Sequence, residues 1–137
     1  MSDARAARSV ARSILIVDDD VDIRDTLADF LEDEGYTVGA AANGREALAY
    51  LREHLSTSVV LLDLMMPVMD GFRFRIEQKN DPELASIPVV VMTARGPMEP
   101  GALDVQDIVP KPMKLTTLLE AIRRATENLP TRKSQPS

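Results

Sequence analysis

Short apolar runs alternate along this chain with segments whose apolar residues recur at helical spacing. Ile14-Leu15-Ile16-Val17 is continuous and short, the pattern of a strand buried on both faces. Ile23, Leu27, Phe30 and Leu31 follow at helical spacing, and Gly35 closes that segment. Tyr36–Ala41 reads as a second strand, and Asn43-Gly44 opens a helix with Ala47, Leu48, Leu51 and Leu55 on one face. Ser58–Leu62 reads as strand three, Phe72–Lys79 as a more polar helix, Ile87–Met92 as strand four and Val105–Val109 as strand five. Leu115, Leu118, Leu119, Ile122 and Leu129 line a last helix that is expected to end near Pro130.

Strand–helix alternation of this kind predicts parallel strands joined by right-handed crossovers, with helices on both faces: a three-layer, doubly wound α/β domain. The segment 94–104 breaks the rhythm. It holds two prolines and two glycines in eleven positions, so the helix expected there, the fourth, is shortened or irregular.

Four of the runs deliver a polar group at the same end. Asp18 and Asp19 follow Val17, Asp63 follows Leu62, Thr93 follows Met92 and Lys111 follows the fifth run. Polar groups gathered at the carboxyl edge of an open parallel sheet mark a binding crevice. Three carboxylates in one place repel one another and require a cation, and hard oxygen donors suit Mg²⁺. A carboxylate beside Mg²⁺ can act as a nucleophile toward phosphorus, with the Lys111 ammonium and the Thr93 hydroxyl on the remaining phosphoryl oxygens. The plainer reading of Asp18–Asp20 is a set of helix-capping turn residues, but it leaves Asp63, Thr93 and Lys111 unexplained.

Composition narrows the field. The chain has 137 residues, enough for one domain, with 28% charged and 45% apolar residues. Cysteine is absent, which removes disulfides and thiolate chemistry and fits a cytoplasmic setting. A net charge of −6 argues against nucleic acid as the main partner, and no apolar run has the length of a membrane span. Residues 1–12, with Arg5, Arg8 and Arg12 among alanines, read as a flexible extension rather than a transit peptide. Residues 130–137 read as a disordered tail, leaving 13–129 as the domain.

Two competing motifs fail. Asp18-x-Asp20-x-Asp22 begins like a calcium loop but has Ile23 where glycine is required and Asp29 in place of the closing Glu. A haloacid-dehalogenase-type phosphatase has a second Asp two residues after its nucleophile, where this chain has Met65. The lone histidine, His54, reads as a surface or boundary residue.

Taken together, Val17-Asp18-Asp19-Asp20, Leu62-Asp63-Leu64-Met65-Met66-Pro67-x-x-Asp70-Gly71, Val91-Met92-Thr93-Ala94 and Pro110-Lys111-Pro112 resemble the receiver domain of two-component response regulators, the CheY-like family. The resemblance implies a flavodoxin-like, five-stranded sheet of order 2-1-3-4-5. It implies that Asp63 accepts a phosphoryl group from a histidine kinase or a histidine phosphotransfer protein. Asp18, Asp19, Asp63 and the backbone carbonyl of Met65 would hold Mg²⁺, Lys111 would contact the phosphoryl group, Lys111-Pro112 would be a cis peptide, and Thr93 would move toward the phosphate and report its presence.

The chain departs from the family at three places. Ile108 stands where an aromatic residue usually partners the switch threonine; the Thr93–Lys111 stretch is short; and Met65 and Arg95 occupy the variable positions that flank the phosphate, where substitution is expected to change its lifetime. The expected function is a stand-alone phosphoacceptor that signals through protein–protein binding, with no substrate turnover of its own and with a homodimer left open. A phosphorylation-independent interaction module is the alternative. A phosphohydrolase lacks a recognisable water-activating base, and eight residues beyond the last helix are too few for a helix-turn-helix.

Overall fold

Alternation within each apolar run decides how the sheet is covered. In a strand, successive side chains point to opposite faces, so a continuous apolar run supplies two cores at once. The computed structural model describes residues 12–64, 69–93, 105–111 and 114–134. Its strands are β1 (Ser13–Val17), β2 (Thr37–Ala41), β3 (Val59–Asp63), β4 (Val89–Thr93) and β5 (Asp107–Pro110). Its helices are α1 (Val21–Asp33), α2 (Gly44–Glu53), α3 (Gly71–Lys79) and α4 (Leu115–Ser134). All strands pair in parallel in the order β2-β1-β3-β4-β5, with Ile14 opposite both Val38 and Val59, and Leu61 opposite Val90.

On one face Leu15, Val17, Val60, Leu62, Val89 and Val91 pack with Ala47, Leu48 and Leu51 of α2 and Phe74 of α3. On the other, Ile14, Ile16, Val59, Leu61, Val90 and Met92 pack with Leu27 and Leu31 of α1 and Leu118, Ala121, Ile122 and Ala125 of α4. The expected flavodoxin-like, three-layer, doubly wound fold is the fold observed, down to the strand order. Every residue of β3 and β4 is buried, as befits central strands sandwiched between helices.

Helix ends follow from local chemistry. Asp20, Asn43 and Asp70 cap α1, α2 and α3, each accepting backbone N–H bonds from the first turn. Gly35 leaves α1 at φ 100°, a conformation that glycine adopts without a Cβ penalty. The polar helix α3 is held by two buried side chains. Phe74 enters the core, and Gln78, also fully buried, donates from Nε2 to the carbonyls of Leu84 (2.9 Å) and Ile87 (3.1 Å). That ties α3 to the segment leading into β4.

Two expectations are corrected. The last helix runs through Pro130 to Ser134 instead of stopping near Pro130; the φ of proline is helical, but its place inside a helix costs one N–H bond and a clash with the carbonyl four residues back. The fifth strand begins at Asp107, two residues later than Val105, because its ladder with β4 starts with Asp107 opposite Val90. The expectation of a shortened or irregular fourth helix falls on residues 94–104, outside the described residues. Among the described residues no helix is long and apolar enough to cross a membrane.

Candidate functional site

Parallel strands end at a common edge, so the residues just past their C-termini become neighbours whatever their separation in sequence. Asp18 follows β1, Asp63 closes β3, Thr93 closes β4 and Lys111 follows β5. The Lys111 Nζ donates to Asp18 Oδ2 at 3.0 Å and lies 3.6 Å from Asp63 Oδ1. The Lys111 backbone N–H donates to the Thr93 carbonyl at 2.8 Å, which locks the ends of β4 and β5 together. Asp18, Asp63 and Thr93 are buried, Asp19 is exposed and Lys111 is partly covered. The floor of the site is therefore shielded from water and its rim is open.

The three aspartates after β1 divide their work. Asp20 caps α1, its Oδ1 accepting from Asp22 and Ile23 N–H. Asp18 is fixed at every polar atom: its N–H donates to the Ala41 carbonyl, its Oδ1 accepts from Asp20 N–H, its Oδ2 accepts from Lys111, and its carbonyl accepts from Arg24 Nη1. The helix-capping reading thus holds for Asp20 and not for its two predecessors. Asp18, Asp19 and Asp63 each bring a carboxylate oxygen within 4.8 Å of the others.

Three carboxylates facing one ammonium leave a net negative centre of oxygen donors, the environment that suits a hard divalent cation such as Mg²⁺. Such a cation relieves the carboxylate repulsion. Adding Mg²⁺ is therefore expected to raise the melting temperature, by about 2.7 kcal/mol of stabilisation at a hundredfold excess over Kd, and Asp19→Asn is expected to shrink that gain. Melting curves unchanged by Mg²⁺ would remove the cation from this site.

Leu64, which follows Asp63, is in close backbone contact with the start of α3. Gly71 N–H donates to the Leu64 carbonyl at 2.9 Å, and a Cβ at Gly71 would sit 2.8 Å from Leu64 Cα and 3.0 Å from the Asp63 carbonyl oxygen. Only glycine lets the start of α3 press this closely on the end of β3. The Met69 carbonyl accepts from Gly44 N–H at 3.0 Å, tying the start of α2 to the residues before α3.

Of the residues singled out in the sequence, Asp18, Asp19, Asp63, Thr93 and Lys111 lie together at this edge. Ile108 is half-buried against the core on the Leu15–Val17 side of the sheet. Met65, with its carbonyl, and Arg95 lie outside the described residues, as does Pro112. His54 sits apart as the exposed C-cap of α2, its ring stacked 3.9 Å from that of Tyr50. The sequence reading missed Arg24 and Gln78. A cation in the first turn of α1, where the helix dipole disfavours it, and a glutamine at the core-facing spacing of a helix were the available signals.

The sequence model of the response regulator receiver domain matches residues 14–123. Response regulator Rre1 of Synechocystis is 45% identical over 85 residues, covering 61% of this chain and 36% of that protein. The transcriptional regulatory protein CpxR homolog of Haemophilus influenzae is 37% identical over 114 residues, covering 80% of this chain and 48% of that protein. The chain thus spans about half the length, or less, of these curated relatives. Among solved structures, the chemotaxis response regulator CheY4 of Vibrio cholerae superposes with a TM-score of 0.75 at 32% identity, covering 83% of this chain and 98% of that one.

Proposed function

The chain belongs to the response regulator receiver domain family, and from that premise we propose that Asp63 is its phosphoacceptor, loaded from a phosphohistidine on a histidine kinase or histidine phosphotransfer protein. The observation that carries this reading is the Lys111 ammonium lying between the buried carboxylates of Asp18 and Asp63, at 3.0 and 3.6 Å.

In the proposed transfer, an oxygen of the Asp63 carboxylate attacks phosphorus, and the new O–P bond forms as the donor's P–N bond breaks. The departing imidazole nitrogen keeps the electron pair. Lys111 offsets charge on one phosphoryl oxygen and the Thr93 hydroxyl donates to another. Asp18, Asp19, Asp63 and, as the family resemblance implies, the Met65 carbonyl would hold Mg²⁺, which would supply further positive charge for the phosphoryl oxygens. Water later attacks phosphorus, the O–P bond breaks, and the Asp63 carboxylate and inorganic phosphate are released. No other substrate is turned over.

Signalling then takes the form of a contact with a protein partner that differs between the two states of Asp63, a shift of population rather than a new activity. The transcriptional role in the name of the Haemophilus influenzae relative is that protein's own, and more than half of that protein has no counterpart in this sequence.

The test is intact-mass spectrometry after incubation with Mg²⁺ and acetyl phosphate, followed by peptide mapping. A single phosphoryl adduct on the peptide containing Asp63 is expected. An unmodified chain, with this donor and with phosphorylated kinases, would favour the alternative of a phosphorylation-independent interaction module, to which the aliphatic Ile108 at the edge of the core lends some support. Lys111→Met is expected to slow adduct formation about 100-fold, the usual effect of deleting one preorganised charge partner of a transition state. It is also expected to tighten Mg²⁺ binding, because Lys111 competes with the cation for Asp18. An equal incorporation rate would remove Lys111 from the chemistry.

A further inference from the structure

Asp19 is the one member of the acidic trio whose carboxylate is exposed and makes no hydrogen bond or ion pair to any described residue. Its direction is therefore set by its backbone. The peptide plane that precedes it carries the Asp18 carbonyl, and that oxygen accepts from Arg24 Nη1 at 2.7 Å. We propose that Arg24 is a positioning residue: it holds the Asp18–Asp19 peptide and so aims Asp19 at the cation shared with Asp18 and Asp63, an inference that rests on the Mg²⁺-dependent reading above.

Three observations converge on this role. Arg24 is on the first turn of α1, its own N–H bonded to the Asp20 carbonyl at 3.0 Å, where the positive end of the helix dipole opposes a cation. Helical side chains lean toward the N-terminus, which carries its guanidinium back past Asp20 to the end of β1. The Asp18 carbonyl is its hydrogen-bond partner among the described residues, so this arginine anchors the acidic turn and is not part of a surface ion pair. Asp18 itself stays fixed by Ala41, Asp20 and Lys111 without Arg24. The burden of its loss falls on Asp19.

Electrostatics alone and positioning predict opposite signs. Deleting a nearby cation would tighten Mg²⁺ binding, whereas loosening a ligand's support weakens it, by about 10-fold for a residue of this kind. Mg²⁺ titrated calorimetrically into the full chain is expected to bind about 10-fold more weakly to Arg24→Met than to wild type, with metal-free melting temperatures alike. Phosphoryl incorporation at saturating Mg²⁺ is expected to stay within about twofold of wild type while the Mg²⁺ concentration it requires rises. In Asp19→Asn, adding Arg24→Met is expected to cost nothing further, since the two act on one ligand. If Arg24→Met fails to fold, Arg24→Gln carries the same comparison. Equal or tighter Mg²⁺ binding in the arginine variant, or a full additional loss on the Asp19→Asn background, overturns the proposal. A wild-type chain that takes up no Mg²⁺ fails the underlying reading instead, and the two failures are thereby told apart.

Discussion

Asp63→Ala is expected to abolish phosphoryl incorporation from acetyl phosphate while leaving the fold in place. The neighbouring carboxylates are poor substitutes. Both oxygens of Asp18 are engaged, one by Asp20 N–H and the other by Lys111, and Asp19 stands at the exposed rim. Asp63 alone ends a central strand at the shielded floor, 5% exposed and 3.6 Å from the ammonium. Its loss also removes one of three mutually repelling carboxylates, and Lys111 keeps its 3.0 Å bond to Asp18. The metal-free variant is therefore expected to unfold within about 1 kcal/mol of wild type. Intact-mass spectra and denaturant melts recorded on the same samples check both halves. An adduct that survives the substitution moves the acceptor to another side chain.

The largest expected loss of stability comes from Phe74→Ala. Phe74 is the large apolar side chain of α3 that is fully buried; Phe72 packs against the same core only in part, and Ile76 is 58% exposed. Truncating a buried phenylalanine costs about 3–5 kcal/mol, through lost transfer free energy and the cavity left behind. Against a total of about 5–15 kcal/mol for a typical domain, that is a large share. The denaturant midpoint is expected to fall steeply with the slope unchanged. A midpoint that barely moves would mean that Gln78, through its bonds to Leu84 and Ile87, anchors α3 without its aromatic neighbour.

The sheet and the cluster at its edge were legible in the sequence because both are written in period. Runs such as Val59–Leu62 and Val89–Met92 are too apolar for anything but central strands, and a polar residue just after such a run has to emerge at the strand tip. Side-chain type alone does not separate Asp18, Asp19 and Asp20; the family resemblance set the first two apart, and the structure shows the third capping α1 while the first two lie with Asp63. Arg24 and Gln78 stand at telling positions, but both reach backbone carbonyls, and residue types do not say which carbonyl such a side chain will meet. Strand ends shifted by a residue or two because hydrogen-bond ladders, rather than side-chain character, set them, as at β5, where the ladder starts at Asp107.

The bond between Lys111 and Asp18 spans 93 positions of the chain. During synthesis the acidic residues leave the ribosome long before the lysine that faces them. A nascent chain can expose Asp18, Asp19 and Asp63 while still lacking the ammonium that offsets their charge. Closing so long a loop carries a large entropic cost, which β-strand pairing must cover first. The acceptor chemistry proposed for Asp63 is thus tied to completion of the sheet: a half-made or misassembled copy presents three repelling carboxylates without their ammonium, and is expected to take up a phosphoryl group far more slowly than a chain that has finished folding.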